Sequence, residues 1–369
     1  MAHSSSGSSL DQRIISLVLI AVVLAFYLPG MVWDSGSLSS NLELLNSPPP
    51  VKWRENFATY FVSIVLEAAP YMMIGALVSG LIEVWVPQGL LPLLARRLGW
   101  LGIPLMALLA PLFPICECGV LIVARKLLTK GLPLPHVVTY LLAAPVLNPV
   151  VLGSTWLAFY RDPLYPLLRA GGGLLVPVAM GLLVSFYPVA RALLAQWRGG
   201  CSHGCCGHGD HQTITAPAGV AAHSRHVMGH VRDDFLEIAA YFLMGVFLAS
   251  ALKTFVPYDM LDAVGSGPVL GPAVMMFMAF VMSLCSEADA FLAASFVEFD
   301  MFSHTAFLVF GPMLDIKLVL MYMLLFQRRF IAIFSVAVTL MVGLYIAMLR
   351  LVPEWVWDLV VGSVTGGQL

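Results

Sequence analysis

The sequence predicts an all-α polytopic membrane protein built from two internal repeats of inverted orientation, each with a broken or re-entrant segment. Three observations lead there. The chain of 369 residues is 60% hydrophobic and only 11% charged, with a mean hydropathy of +0.90, whereas soluble domains carry about 25% charged residues. Long apolar runs lie at 13–32, 57–86, 101–124, 136–160, 166–189, 235–256, 268–297, 303–326 and 329–351, and about 20 such residues make a span. Hydrocarbon offers the backbone no partners, so spans of this kind are helical. Landmarks also recur in order at a near-constant separation. Leu66-Glu67-Ala68-Ala69-Pro70-Tyr71 answers to Leu236-Glu237-Ile238-Ala239-Ala240-Tyr241, Gly75 to Gly245, Pro87 to Pro257, Cys116 to Cys285, His136 to His304, and Pro145-Val146-Leu147-Asn148 to Pro312-Met313-Leu314-Asp315.

Taken in order, Met1 to Ser9 is polar and serine-rich, and no small-residue cleavage site follows the first apolar run. That run reads as a retained membrane helix rather than a signal peptide. With the polar connector Trp33 to Asn56, which holds Pro48-Pro49-Pro50, it makes an N-terminal piece over 1–56. The first repeat and its linking helix fill 57–190, and the second repeat fills 235–326. Between them, 191–234 is too short and too rich in glycine and histidine to pack a core, so it is a loop; 327–369 supplies a last helix and a tail. In each repeat one apolar run is interrupted: 101–124 by Pro111, Pro114 and Gly119, and 268–297 by Ser283-Leu284-Cys285-Ser286-Glu287-Ala288.

Charge decides how the interrupted runs cross. If both span fully, Lys and Arg divide almost evenly between the faces. If each enters and leaves on one side, Arg13, Arg96, Arg97, Arg125, Lys126, Lys130, Arg191, Arg198, Arg225, Arg232, Arg328 and Arg329 share a face, and Arg161 and Arg169 fall on the other. The positive-inside rule prefers the second arrangement and makes the crowded face cytoplasmic. The expected topology is seven spans with two re-entrant hairpins, and the linking helix inverts the second repeat relative to the first.

Corresponding broken segments in two halves are the best sequence pointer to a transporter's substrate site. Cys116, Glu117 and Cys118 lie in the first; Cys285, Glu287 and Asp289 lie in the second. A charge at mid-bilayer costs roughly 2.5–3.5 kcal/mol on insertion scales, so such groups face a cavity and carry function. The thiols are soft ligands; the carboxylates are hard ligands and proton carriers. Lys317, two residues after Asp315, is a candidate partner for Asp315, Glu287 or Asp289, and an all-structural Asp315–Lys317 pair is the duller alternative. Asn148 holds the matching place in the first half, as a cation ligand or as the cap of a broken helix. Glu67 and Glu237 read as span-end, interfacial residues. Met275, Met276, Met278 and Met282 read as packing rather than as a copper path.

The six cysteines do not form an extracellular disulfide framework, because three lie in apolar runs and three in one loop. In that loop Cys201, His203, Cys205, Cys206, His208 and His211 stand within eleven residues. Thiolate and imidazole suit copper(I) and zinc, and the spacing fits no fixed zinc finger, so a flexible metal collector is expected. A low-complexity linker is its alternative.

Four stretches carry a resemblance: Pro114-Ile115-Cys116-Glu117-Cys118-Gly119, Ala144-Pro145-Val146-Leu147-Asn148-Pro149, Ser286-Glu287-Ala288-Asp289-Ala290-Phe291 and Phe310-Gly311-Pro312-Met313-Leu314-Asp315-Ile316-Lys317. Together they resemble the ArsP-type permease family, over roughly residues 55 to 350. That family holds organoarsenical efflux permeases and a branch assigned to copper/zinc efflux, and the His/Cys loop is similar to the metal-efflux branch. Family patterns often place serine or another small residue where Glu117 stands, and a trivalent arsenical gains little from an added carboxylate.

The expected function is therefore export of soft or borderline metal ions, copper or zinc in kind, across the inner membrane. The loop collects the ion, and Cys116-Glu117-Cys118 receives it. No G-x-x-x-x-G-K-[ST] motif occurs, so the proton gradient is the expected drive, with Glu117, Glu287 or Asp289 as carriers. Organoarsenical export is the alternative within transport. A membrane thiol oxidoreductase using Cys116 and Cys118 is a lesser one, since it wants a second, solvent-facing Cys pair. No enzymatic activity and no cofactor beyond the transported ion are expected. The bilayer and the ion are the expected partners, a homo-oligomer is left open, and neither the net charge of −2 nor any basic patch points to nucleic acid.

Overall fold

A computed structural model describes residues 53–85, 87, 89–112, 115–188, 192–194, 238–254, 267 and 269–352. The expected span 13–32, the His/Cys loop and Glu237 lie outside the described residues. Those described form helices, with no strand among them beyond an isolated bridge between Leu193 and Phe326. By length and composition, Asn56–Ile82, Leu90–Leu112, Leu134–Ala158, Leu164–Ser185 and Arg328–Leu351 can each cross a membrane. The described residues thus have the helical content and the apolar helix lengths of an all-α polytopic membrane protein.

Helix α1 (Trp53–Trp85) is followed by a hairpin. Its first arm begins with α2 (Leu90–Leu98), which carries Arg96 and Arg97 in its last turn. Gly99, at φ 50°, then redirects the chain into α3 (Gly102–Leu109) and a 3-10 turn ending at Leu112. After Cys116 the chain returns as α4 (Glu117–Thr129), 13 residues long. Both mouths of this hairpin coincide: a Cβ placed on Gly131 would lie 3.2 Å from Pro92 Cγ. The composition that makes 90–112 look like a span is therefore divided between a charged helix at the rim and a short descending arm. At 1.5 Å per residue, α4 reaches about 20 Å, short of a roughly 30 Å hydrocarbon core. The first broken segment folds back on itself as a hairpin.

Helices α5 (Leu134–Leu147) and α6 (Pro149–Ala158) then cross together, bent at Asn148. Helix α7 (Leu164–Ser185) returns alongside them. Thr139 Oγ1 donates to Pro177 O at 3.3 Å near one end, Gly173 packs on Val146 midway, and Arg169 reaches Thr155 at the other end.

The second half enters from the opposite end of α7. Helix α8 (Ile238–Thr254) lies against α1, with Phe57 on Phe247 and Tyr60 under Lys253. Helix α9 (Leu270–Met282) stops at Ser283, φ 48°, and α10 (Asp289–Ser295) follows the break. Helix α11 (Met301–Phe310) starts with His304 edge-on to Phe159 and tilted against Tyr165, at the α6–α7 turn. His136, its counterpart, sits instead beside Gly102 at the mouth of the first hairpin. At the far end of α11, Gly311 faces both Ala279 of α9 and Asp289 of α10. Helices α9 and α11 thus run in parallel while α10 runs back between them, so this segment also folds on itself. The chain completes its crossing through α12 (Ile316–Tyr322), and Gln327 N bonds Ala192 O at 2.9 Å. Helix α13 (Arg328–Leu351) then returns along α7, tied by Tyr187–Phe330 at one end and by Tyr345 Oη to Leu168 O, 2.8 Å, at the other.

Among the described residues, then, α1, α5–α6, α7, α8, α11–α12 and α13 traverse, and two hairpins enter from opposite ends. Arg96, Arg97, Lys130, Arg328 and Arg329 sit at the end shared with the first hairpin's mouth, while Arg161 and Arg350 sit at the other.

Candidate functional site

The tips of the two hairpins meet. Cys116 caps α4 in an extended conformation, at φ −72° and ψ 172°, and Glu117 is the first residue of that helix. Its partners come from the other half: Glu117 Oε1 accepts from Lys317 Nζ at 2.9 Å, and Oε2 accepts from Ser286 Oγ at 2.7 Å. Lys317 Nζ also donates to the carbonyls of Ser283 (3.3 Å) and Leu284 (3.1 Å), freed by the break after α9, and lies 3.4 Å from Asp315 Oδ2. Glu117, Asp315 and Lys317 are each 1% exposed. An ammonium this deep persists because carboxylates and carbonyls replace its water.

A second buried pair flanks the first. Arg169, wholly buried, offers a fork to Asp289, with Nη1 to Oδ1 at 3.0 Å and Nη2 to Oδ2 at 2.8 Å. The same guanidinium donates to Thr155 Oγ1 at 2.8 Å and to Ser286 O at 3.1 Å. One continuous polar path therefore runs Thr155, Arg169, Asp289 and Ser286, Glu117, Lys317, Asp315. It ties α6, α7, both hairpins and α12 together.

Beside this path lie the thiols. Cys116, Cys118 and Cys285 are free and buried, and the Cys116 side chain interacts with both of the others. Cys285 Sγ donates to Glu287 Oε2 at 2.9 Å, while Glu287 Oε1 is buried with no hydrogen-bond partner. Tyr71 and Glu67 of α1 lie within electrostatic reach of this cluster. Among the described residues no group of three or more His, Cys, Asp or Glu side chains is arranged to hold a metal ion as it stands. The thiols are neighbours, but Cys285 is turned to Glu287 rather than to a shared centre. Binding a thiophilic ion there requires that bond to open and the thiols to lose their protons.

Several sequence expectations change. Lys317 pairs first with Glu117, and Asp315 is its second carboxylate; Asp289 belongs to Arg169, and Glu287 to Cys285. Arg169, expected as a flanking charge, is inside α7, where its isolation in an apolar run was the available signal. Glu67 is not at a span end, since α1 starts at Trp53 and carries it to the middle. Its neighbours include Lys317, Glu117 and Lys253. Asn148 acts as a cap: its Oδ1 accepts from Val150 N at 3.0 Å, as Asp315 Oδ1 accepts from Leu318 N at 2.6 Å. The loop residues Cys201, His203, Cys205, Cys206, His208 and His211 lie outside the described residues.

Comparison with known proteins gives a consistent picture. A family model, ArsP_1, described as a predicted permease, matches residues 53–350. The UPF0718 protein YcgR of Bacillus subtilis (strain 168) is 37% identical over 272 residues, which cover 73% of this chain and 89% of the relative. A Streptococcus mutans protein provisionally named a two-component membrane permease complex subunit is 31% identical over 290 residues, 77% of this chain and 92% of its own. No solved structure matches significantly.

Proposed function

This chain belongs to the ArsP_1 family of predicted permeases, and from that premise we propose that it exports soft or borderline metal ions from the cytoplasm across the inner membrane. The observation that carries the reading is the meeting of Cys116, Cys118 and Cys285 where the two hairpin tips touch. Thiolates select copper(I) and zinc over the hard ions of the cytosol. Two hairpins that enter from opposite ends and meet at one polar cluster suit alternating access around a fixed site. The Arg and Lys residues at the mouth of the first hairpin support placing that mouth in the cytoplasm. The His/Cys loop would then feed the site from the same side. Glu287, with its unpartnered oxygen, is the best placed of the three carboxylates to take a thiol proton and so couple export to the proton gradient.

One observation favours a second reading. Glu117 is held by Lys317 and Ser286, which takes it out of the donor set and leaves the thiols on either side of it, and thiols are what a trivalent organoarsenical takes. Uptake of zinc, copper(I) and a trivalent organoarsenical into everted vesicles under an imposed pH gradient separates the two. For metal export, Cys116→Ser or Cys118→Ser abolishes metal uptake and Glu117→Gln depresses it. Vesicles that move only the arsenical, indifferent to Glu117→Gln, would replace the metal reading with the second.

A further inference from the structure

We infer that Lys317 is a tethered stand-in for the transported cation: its ammonium holds Glu117 in the metal-free state and passes to Asp315 when a metal ion takes the Glu117 carboxylate. The inference rests on the metal-export reading and adds an exchange step to it. Three observations carry it. The ammonium already has two carboxylates within reach, Glu117 Oε1 at 2.9 Å and Asp315 Oδ2 at 3.4 Å. They differ in what they still lack. Both oxygens of Glu117 are engaged, by Lys317 and Ser286, whereas Asp315 uses Oδ1 to cap α12 and keeps Oδ2 buried with no hydrogen-bond partner. Closing 3.4 Å to the 2.7–2.9 Å of a charge-assisted bond is a small displacement. Finally, the carbonyls of Ser283 and Leu284, at 3.3 and 3.1 Å, can hold the ammonium throughout the move.

The geometry gives the step a purpose. With both carboxylates ionised, the trio carries one net negative charge, and it appears on whichever carboxylate the ammonium leaves. Leaning on Asp315 presents that charge on Glu117, flanked in sequence by Cys116 and Cys118. Returning to Glu117 expels the ion. A lysine suits this work as a compact point charge on a flexible stem, which a planar guanidinium is not.

The test reads the site itself in the full-length protein: the concentration of zinc or copper(I) that half-protects Cys118 from alkylation, measured on its peptide by mass spectrometry. Asp315→Asn keeps the cap, as Asn148 shows, but removes the second charge. It should raise the half-protecting concentration about tenfold when Lys317 is present and leave it unchanged in a Lys317→Met background, the non-additivity expected of an acting pair. An equal shift in both backgrounds makes Asp315 a plain electrostatic contributor and overturns the proposal. Thermal melting monitors folding. Should Lys317→Met fail to fold, Lys317→Arg carries the test, because a fork grips Glu117 through two bonds and should raise the half-protecting concentration; a wild-type value would overturn the exchange. Wild-type protein whose Cys118 no metal protects would instead remove the metal-export reading beneath it.

Discussion

Removing the Arg169 guanidinium tests whether the polar path holds the tips in place. Arg169→Met leaves Asp289, 3% exposed, without its two-bond partner, and frees Thr155 Oγ1 and Ser286 O as well. Breaking one side of a buried ion pair costs about 3–5 kcal/mol, because the remaining charge stays desolvated. At the roughly 2 °C per kcal/mol expected for a chain longer than 250 residues, the melting midpoint should fall by about 6–10 °C. Removing both partners, as Arg169→Met with Asp289→Leu, should recover most of that loss, since neutral isosteres of a buried pair are often tolerated. The assay is thermal unfolding of the detergent-purified protein, with the two single variants and the double measured together. A single variant as stable as wild type, or a double variant no better than the singles, would refute the reasoning.

Other outcomes are as definite. Gly119→Ala places a Cβ 2.6 Å from Ile115 Cγ2 and 2.9 Å from Tyr71 O, so it should destabilise by about 1–3 kcal/mol as overpacking does, read in the same melting assay. Single cysteines at Thr129 and Tyr160, both exposed, should label with impermeant reagents from opposite sides of the membrane, and Thr129 should share its side with Arg328. Labelling of both from one side would undo the hairpin topology. Deleting Gly200–His211 should weaken metal resistance without abolishing it, because a collector raises local ion concentration and forms no part of the crossing. Complete loss of transport at normal protein levels would make the loop part of the site.

Much of the architecture was legible because hydropathy and charge are one-dimensional signals. Pro111, Gly119 and the basic residues on both sides of 101–124 were enough to predict a hairpin, and Gly131 against Pro92 is its three-dimensional form. Matching positions in the two halves also pointed to a meeting: Cys116 interacts with Cys285, and Glu117 bonds Ser286. Partner choice was not legible. Lys317 stands two positions after Asp315 in sequence, yet a helix start between them sends Asp315 Oδ1 to the backbone of Leu318 and lets Lys317 reach across to Glu117. Arg169 was missed because position near the start of an apolar run suggests a flanking charge, whereas α7 begins early enough to bury it. Glu67 was misplaced although its apolar run begins at Phe57, ten residues earlier, and a helix starting at Trp53 sets it deeper still.

The pairing of Glu117 with Lys317 has a consequence for how the chain is made. The two residues are 200 positions apart. At about 5–20 residues per second, a ribosome delivers Lys317 roughly 10–40 seconds after Glu117. Throughout that interval the first hairpin carries an acid whose counter-charge does not yet exist, and lodging it in hydrocarbon is opposed by a few kcal/mol. The second hairpin meets no such delay, because Arg169 is already in place 120 residues before Asp289 needs it. The early hairpin should therefore settle fully only once the late half arrives. Nascent chains stopped before α12 should consequently expose Cys116 and Cys118 to alkylating reagents that the finished protein excludes.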